Sequence, residues 1–384
     1  MMPRGSIYRK GDGWAIRYDA GKREDGERDQ RYAGGFATER EAQIALATAL
    51  AEVAAGRHVR QTRATLGSYA TEWLDLGDWR PTTRRRYAGA VQQVILSTAL
   101  ARAPLSTLTG AAVQRQFRAL AERYGPVSVA RMAATVRSVL HSAVRAHLLS
   151  AEVLAQVPRP REPHTEQRAW DAATLDHFLT ASVADEHAVL WALYAQTGLR
   201  RGEALGLVWS DLDLRARRLS VHRQALLIDG RVRLAPPKTR RSERTLSLQP
   251  HLADALRIHQ AAQRTTYLAL GIGRPEPDLV FCRAPGVPCV PETISRRFRD
   301  LITGLDLPRI RLHDLRHTHA TLLLRAGANP RWVADRLGHD LGMLLRVYAH
   351  AFAADDDLVL TRLDEMLAAA RRVEELTRDE ERGR

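Results

Sequence analysis

Between Arg311 and His350 the chain gathers His313, Arg316, His339 and Tyr348, a phenol, a guanidinium and two imidazoles within forty residues. A phosphodiester resists attack because it is anionic and because alkoxide is a poor leaving group. A catalyst that works on one without a metal must supply positive charge and proton donors from its own side chains. These four residue types meet that need.

Their spacing predicts the elements that must hold them. His313 and Arg316 are three apart and share one face of a helix, with Leu315, Leu322 and Leu323 as its expected buried stripe. Gly327 stops that helix, and Asn329-Pro330 opens a second with a polar cap followed by proline at the first position. The second helix should end at Gly338, which can turn left-handed and swing His339 out of the helix end. Tyr348 then falls on a third short helix.

Two charged residues upstream sit in marked contexts. In Thr197-Gly198-Leu199-Arg200-Arg201-Gly202-Glu203, a glycine break lets an arginine leave an apolar helix, and Glu203 is placed to hold Arg200 by an ion pair. Spacing alone does not choose between Arg200 and Arg201. Lys238 lies in Pro236-Pro237-Lys238-Thr239-Arg240-Arg241-Ser242, at the tip of an expected hairpin.

H-x-x-R, then L-G-H, then a tyrosine nine residues on resembles the C-terminal signature of the tyrosine recombinases, the phage integrase family. T-G-x-R-x-x-E and P-K-T-x-x-S resemble that family's arginine and lysine motifs. The resemblance implies the catalytic set Arg200, Lys238, His313, Arg316, His339 and Tyr348, with no cofactor and no metal. Tyr348 would attack a DNA phosphate, leaving a 3′-phosphotyrosine and a free 5′-hydroxyl. Arg200 and Arg316 would clamp the non-bridging oxygens, and Lys238 would protonate the leaving 5′-oxygen. His313 would take the phenolic proton, the phenol being made more acidic by the surrounding cations, while His339 would hydrogen-bond the phosphate. The chain departs from the family after L-G-H, where Asp340-Leu341-Gly342-Met343-Leu344-Leu345 replaces the usual small polar residues and raises the question of how the tyrosine helix docks.

Composition agrees with a polyanionic partner. The 384 residues carry a net charge of +14, with a pI near 10.5. Residues 62–165 are the most biased segment, with fourteen basic and six acidic side chains. Two cysteines, Cys282 and Cys289, make neither a disulfide framework nor a zinc site. No signal peptide or membrane-length apolar run is evident, so a cytoplasmic protein is expected. Metal-dependent chemistry would ask for converging carboxylates, and the densest acidic run, Asp355-Asp356-Asp357, is consecutive.

The chain is expected to be multidomain. Residues 1–61 show three strands and a helix capped by Thr38 and Glu41, resembling an arm-type DNA-binding domain with Arg9, Lys10, Arg17, Arg28 and Arg31 facing the groove. Residues 62–156 read as an all-α block of four helices, Thr65 to Leu76, Thr82 to Leu96, Thr109 to Tyr124 and Val127 to Leu148, resembling the family's core-binding domain. Arg84-Arg85-Arg86 falls in the first turn of one of them, where cations oppose the helix dipole unless an anion such as phosphate is near. Residues 157–165, rich in proline, are an expected linker, and two lobes so joined could close on a duplex. Residues 166–384 form a mainly helical catalytic domain with a small antiparallel sheet. Its last helix, Asp355 to Leu376, carries Leu358, Leu363, Met366 and Leu367 on one side, equally suited to packing in cis or on a neighbouring protomer. The resemblance implies a site-specific recombinase that integrates or excises a phage or other mobile element. It would act as a homotetramer on double-stranded DNA at core and arm sites, with accessory DNA-bending or directionality factors. A type IB topoisomerase would share the chemistry. A helix-turn-helix regulator over Ala320 to His339 would not need Arg200 and Lys238.

Overall fold

Period-two alternation near the N-terminus gives way to helical periodicity after Thr38, and the structure follows that change. The computed structural model describes residues 4–22, 28–54, 59, 62–159, 168–237, 239–348, 360–361, 363–369 and 371–372. Lys238, the Asp355-Asp356-Asp357 run and most of the expected linker therefore lie outside the described residues. The chain divides into two units, Met1–Thr165 and Glu166–Arg384. Among the described residues no helix is long and apolar enough to cross a membrane.

In the first unit, β1 (Gly5–Lys10), β2 (Gly13–Lys22) and β3 (Arg28–Phe36) form an antiparallel sheet in that order, with Ile7 opposite Ile16 and Arg17 opposite Tyr32. Helix α1 (Glu39–Ala54) follows, its start fixed by reciprocal bonds in which the Glu41 backbone N–H donates to Thr38 Oγ1 and the Thr38 N–H to Glu41 Oε2. Arg9, Lys10, Arg17 and Arg28 are exposed. Arg31 is not available in the same way, because its guanidinium makes two 2.9 Å bonds to Asp29.

The rest of this unit is helical: α2 (Leu66–Leu76), α3 (Pro81–Val91) running on through a π turn at Gln92–Leu96, α4 (Gly110–Ala121), α5 (Pro126–Arg145) and α6 (Ala151–Gln156). Leu66, Val91, Val94, Ile95, Val136, Val139 and Leu140 form its core. Four helices are predicted from periodicity. The six residues of α6, capped by Ser150, are too few to show a period. Arg84 pairs with exposed Asp75, and the Arg86 guanidinium lies over the Tyr87 ring, so part of the cationic turn is compensated within the protein.

The second unit begins with α7 (Ala172–Ala181), capped by Asp171, then α8 (Ala188–Thr197) and α9 (Arg201–Leu205). Strands β4 (Leu212–Asp213), β5 (Arg218–Val221), β6 (Gln224–Ile228), β7 (Arg231–Ala235) and β8 (Arg244–Ser247) come next. They pair as a β4-β5-β8 sheet and a separate β6-β7 hairpin. Between β5 and β6 the chain is broken at His222-Arg223, where Arg223 turns to pair with buried Asp211. Helix α10 (Pro250–Ala269), the short pair β9 (Cys282–Ala284) and β10 (Val287–Pro288), and α11 (Pro291–Gly304) lead to α12 (Asp314–Arg325), α13 (Pro330–Leu337) and α14 (Leu341–Tyr348).

Trp170, Phe178, Trp191 and Phe298 centre the main core, with ring centroids 5.3 to 6.2 Å apart. Helix α12 differs from its expected amphipathic form. Every residue from Asp314 to Thr321 is buried, Leu322 and Leu323 are only half-buried, and Leu324 is buried instead. It runs through the protein, so its polar residues point inward.

Two left-handed glycines close the helices that frame this region. Gly198 ends α8 at φ +64° and Gly338 ends α13 at φ +62°. A Cβ at Gly198 would lie 2.7 Å from Leu337 Cδ2 and 2.8 Å from His319 Cδ2. Gly198→Ala should therefore cost about 1–3 kcal/mol through backbone strain and crowding. Urea unfolding checks this, the midpoint falling with an unchanged m value.

Candidate active site

Arg200 follows the left-handed turn at Gly198 and occupies the N-cap position of α9. Its backbone N–H donates to Glu203 Oε2 at 2.9 Å, and its guanidinium donates to Glu203 Oε1 at 2.6 Å and to the Gly338 carbonyl at 3.0 Å. Neighbouring Arg201 goes elsewhere, to Ser295 and Glu292. Arg200 is thus the arginine brought to the α13 terminus.

Glu203 holds more than one cation. Arg244, at the start of β8, donates to Glu203 Oε2 at 2.9 Å and to the Arg336 carbonyl at 2.6 Å. Burial alone would raise the Glu203 pKa. The Arg244 and Arg200 guanidiniums outweigh it and hold the carboxyl down at about 2. Nothing in the sequence singled out Arg244, because its partner is forty-one residues away and no short spacing encodes the contact.

Arg316 lies deepest, 1% exposed. It donates to the Gly198 carbonyl at 2.6 Å and to the Leu337 carbonyl, the C-terminal ends of α8 and α13. Its Nε has no hydrogen-bond partner among the described residues. Burial and the nearby Arg200 and Arg244 lower its pKa to about 9, which leaves it charged at neutral pH. His339 leaves the α13 terminus as predicted, its backbone N–H returning to the Ala334 carbonyl. Its Nδ1 is buried without a partner among the described residues. Desolvation and the adjacent guanidiniums push its pKa down to about 3, so the ring is neutral.

Tyr348, the last residue of α14, is 1% exposed and packs with Leu324, Val333, Leu337 and Leu344. Its Oη lies 2.7 Å from His317 Nδ1. His313, the residue expected at the phenol, sits further out. Helix α12 begins at Asp314, so exposed His313 lies before its first turn and its ring meets that of His317 edge-on at 5.2 Å, while the His317 ring is 5.7 Å from that of Tyr348. The expectation that nearby cations acidify the phenol is overturned too. Burial raises the Tyr348 pKa to about 12, more than the coulombic effect of Arg316 lowers it.

The unusual residues after His339 also find a use. Asp340 Oδ1 accepts from the Gly342 N–H at 3.0 Å at the start of α14, and Asp340 Oδ2 accepts from Arg241 at 2.7 Å. Leu344 and Tyr348, one turn apart, are the buried residues of α14. The apolar segment thus docks the tyrosine helix. Lys238 lies outside the described residues; beyond it, Thr239 bonds Ser242, whose hydroxyl lies 3.4 Å from Arg200.

Glu203→Gln should leave two guanidiniums without their shared counter-charge and cost roughly 3–5 kcal/mol, as for a broken buried pair. The depressed pKa sets the pH window. The Glu203 contribution is complete above its unfolded pKa near 4.5 and is lost as pH falls towards 2. Stability measured from pH 6 down to pH 2.5 should fall less steeply in the glutamine variant than in the unaltered protein.

Comparison with known proteins identifies what the chain is similar to. Residues 171–355 match the phage integrase family and residues 6–53 an arm DNA-binding domain. The ICEBs1 integrase of Bacillus subtilis strain 168 is 27% identical over 243 residues, covering 62% of this chain and 66% of that protein. The integrase of Mycobacterium phage D29 is 26% identical over 304 residues, 79% of each chain. Among solved structures, the Tn1549 transposon integrase in complex with transposon right end DNA shares the fold at a TM-score of 0.64 and 19% identity, covering 79% of this chain and 100% of that one. A lambda integrase tetramer bound to a Holliday junction does so at 0.56 and 15%, covering 88% and 94%. The chain thus carries a phage integrase domain after an N-terminal arm DNA-binding domain, and relatives that align over most of its length are integrases.

Proposed function

We propose that this protein is a site-specific DNA recombinase that cuts and rejoins DNA through a 3′-phosphotyrosyl intermediate, integrating or excising a mobile element. One observation carries the assignment of the site. The buried guanidinium of Arg316 and the neutral ring of His339 each leave a nitrogen without a partner among the described residues, beside Arg200. Orphaned donors held in a cationic pocket suit the non-bridging oxygens of one phosphate.

Arg200 and Arg316 then stabilise charge as it grows on the phosphorus oxygens, and His339 donates a hydrogen bond to them. Tyr348 attacks, and Lys238 protonates the departing 5′-oxygen. The covalent bond conserves the energy of the broken one, so a 5′-hydroxyl from another strand can reverse the step without ATP. His313, exposed just before α12, is assigned the phenolic proton.

We assign residues 1–61 to arm-site binding, with Arg9, Lys10, Arg17 and Arg28 as its exposed cations. Residues 62–156 are read as the core-binding domain, 157–165 as the linker and 166–384 as the catalytic domain. A homotetramer on paired sites, helped by accessory DNA-bending or directionality factors, fits the relatives that are captured as dimers and tetramers on DNA. The C-terminal helix supports packing on a neighbouring protomer over packing in cis. Residues 360–361, 363–369 and 371–372 are helical, and Leu360, Leu363, Met366 and Leu367 are 46–71% exposed.

A nicked suicide duplex carrying the genomic junction of the element tests the chemistry. The unaltered protein should form a detergent-stable adduct and Tyr348→Phe none; an adduct with the phenylalanine variant would refute the nucleophile. Exchange between two such sites should follow, which a topoisomerase would not give. Deleting residues 359–384 should leave single-site binding intact and weaken paired-site complexes in native gels. Binding should also fall steeply between 50 and 200 mM salt, by about 10³-fold or more if six or more phosphates are neutralised.

A further inference from the structure

We infer that Arg244 is a positioning residue for strand cleavage, fixing the α13 terminus and with it the Arg200 and His339 side chains that would meet the phosphate. The inference rests on the recombinase reading and adds a residue to its site.

Three successive carbonyls at the end of α13 each accept from a different arginine: Arg336 from Arg244 at 2.6 Å, Leu337 from Arg316, and Gly338 from Arg200 at 3.0 Å. His339 is the next residue, so these bonds set the point from which its side chain leaves the backbone. Two of the donors, Arg200 and Arg316, are assigned above to the phosphate oxygens, and any N–H they turn towards substrate is taken from this frame. Arg244 is not among them. Its side chain is 7% exposed, and each of its three nitrogens donates within the protein. Nε bonds the Arg336 carbonyl, Nη1 the Ser242 carbonyl at 3.0 Å, and Nη2 Glu203 Oε2 at 2.9 Å.

Those acceptors lie on three separate pieces of the site. Glu203 receives the guanidinium and the backbone N–H of Arg200. The Ser242 hydroxyl is 3.4 Å from Arg200 Nη1. The Arg336 side chain reaches the Gln196 carbonyl at 3.0 Å and His319 Nε2 at 3.1 Å, tying the same turn of α13 to α8 and α12. Arg244 itself is held in β8, opposite Val221 of β5, so the junction stands on a strand. A planar fork with donors in three directions suits such a place, and a single ammonium does not. The packing leaves little slack, since a Cβ at Gly338 would lie 3.4 Å from Arg244 Nη1 and 2.9 Å from the Arg241 carbonyl oxygen. Without Arg244, the main-chain ties at the end of α13 come from the two arginines that also serve the substrate. The loss then falls on the chemical step, while affinity, spread over many phosphates, is kept.

Single-turnover cleavage of the suicide duplex, with the full-length protein in excess over a range of concentrations, separates the saturating rate from the half-saturating concentration. Arg244→Ala should lower the saturating rate by about 10–100-fold, the size expected when reacting groups shift by about an ångström, and leave the half-saturating concentration within about threefold. A merely structural role gives the opposite split. Fewer active molecules raise the half-saturating concentration and leave the saturating rate unchanged, and that result would overturn the proposal. Arg244→Lys keeps the charge beside Glu203 but offers one nitrogen to three acceptors, so it should remain slower by at least about fivefold. Full recovery with lysine would show that charge balance suffices, and would overturn it too. If the alanine variant does not fold, judged by circular dichroism, the lysine variant decides on the same two readings; failure of both to fold would assign Arg244 to stability alone and end the proposal. Absence of an adduct from the unaltered protein would instead remove the recombinase reading, and this inference with it.

Discussion

Guanidiniums repel one another, and a site that needs several of them must supply oxygen atoms to hold them together before any substrate arrives. Here one buried carboxylate, Glu203, is shared between Arg200 and Arg244. Most of the other acceptors are backbone carbonyls at helix C-termini, Gly198 and Leu337 for Arg316, Gly338 for Arg200 and Arg336 for Arg244, with Ser242 accepting from both Arg200 and Arg244. Helix ends carry partial negative charge and unused carbonyls. Two left-handed glycine stops, at the ends of α8 and α13, aim those carbonyls at the cations. The catalytic hollow is thus built from helix termini, and moving either terminus would scatter its charges.

This dependence explains what could be read from the sequence and what could not. The stops at Gly198, Gly327 and Gly338, the cap at Asn329 and the three short helices were legible, because each is fixed by residues a few positions apart. Arg200, Arg316 and His339 were legible for the same reason, and the structure brings them together around the end of α13. Arg244 was not, since its contact with Glu203 closes a loop of forty residues. The contact of His317 with Tyr348 was missed because spacing drew attention to residues three apart, whereas consecutive positions of α12 are buried. The acidity of Tyr348 was misjudged by counting nearby cations and neglecting desolvation, which here is the larger effect.

The first unit shows the same division. Its three strands and the Thr38–Glu41 cap followed from local chemistry. The role of individual arginines did not. Arg31 belongs with Arg9 and Arg17 by composition, yet Asp29 two residues before it removes it from the free surface. Charge along a strand is visible in the sequence; which charges are already spent is decided by packing.

The contact between Arg241 and Asp340 joins the segment following Lys238 to the first turn of the helix that ends in Tyr348. Both side chains are exposed, at 68% and 60%, and an ion pair of that kind adds little to stability. What it provides is registration. The segment before β8 and the first turn of the tyrosine helix are given a common frame by this outer bracket, so that displacement of one is felt by the other.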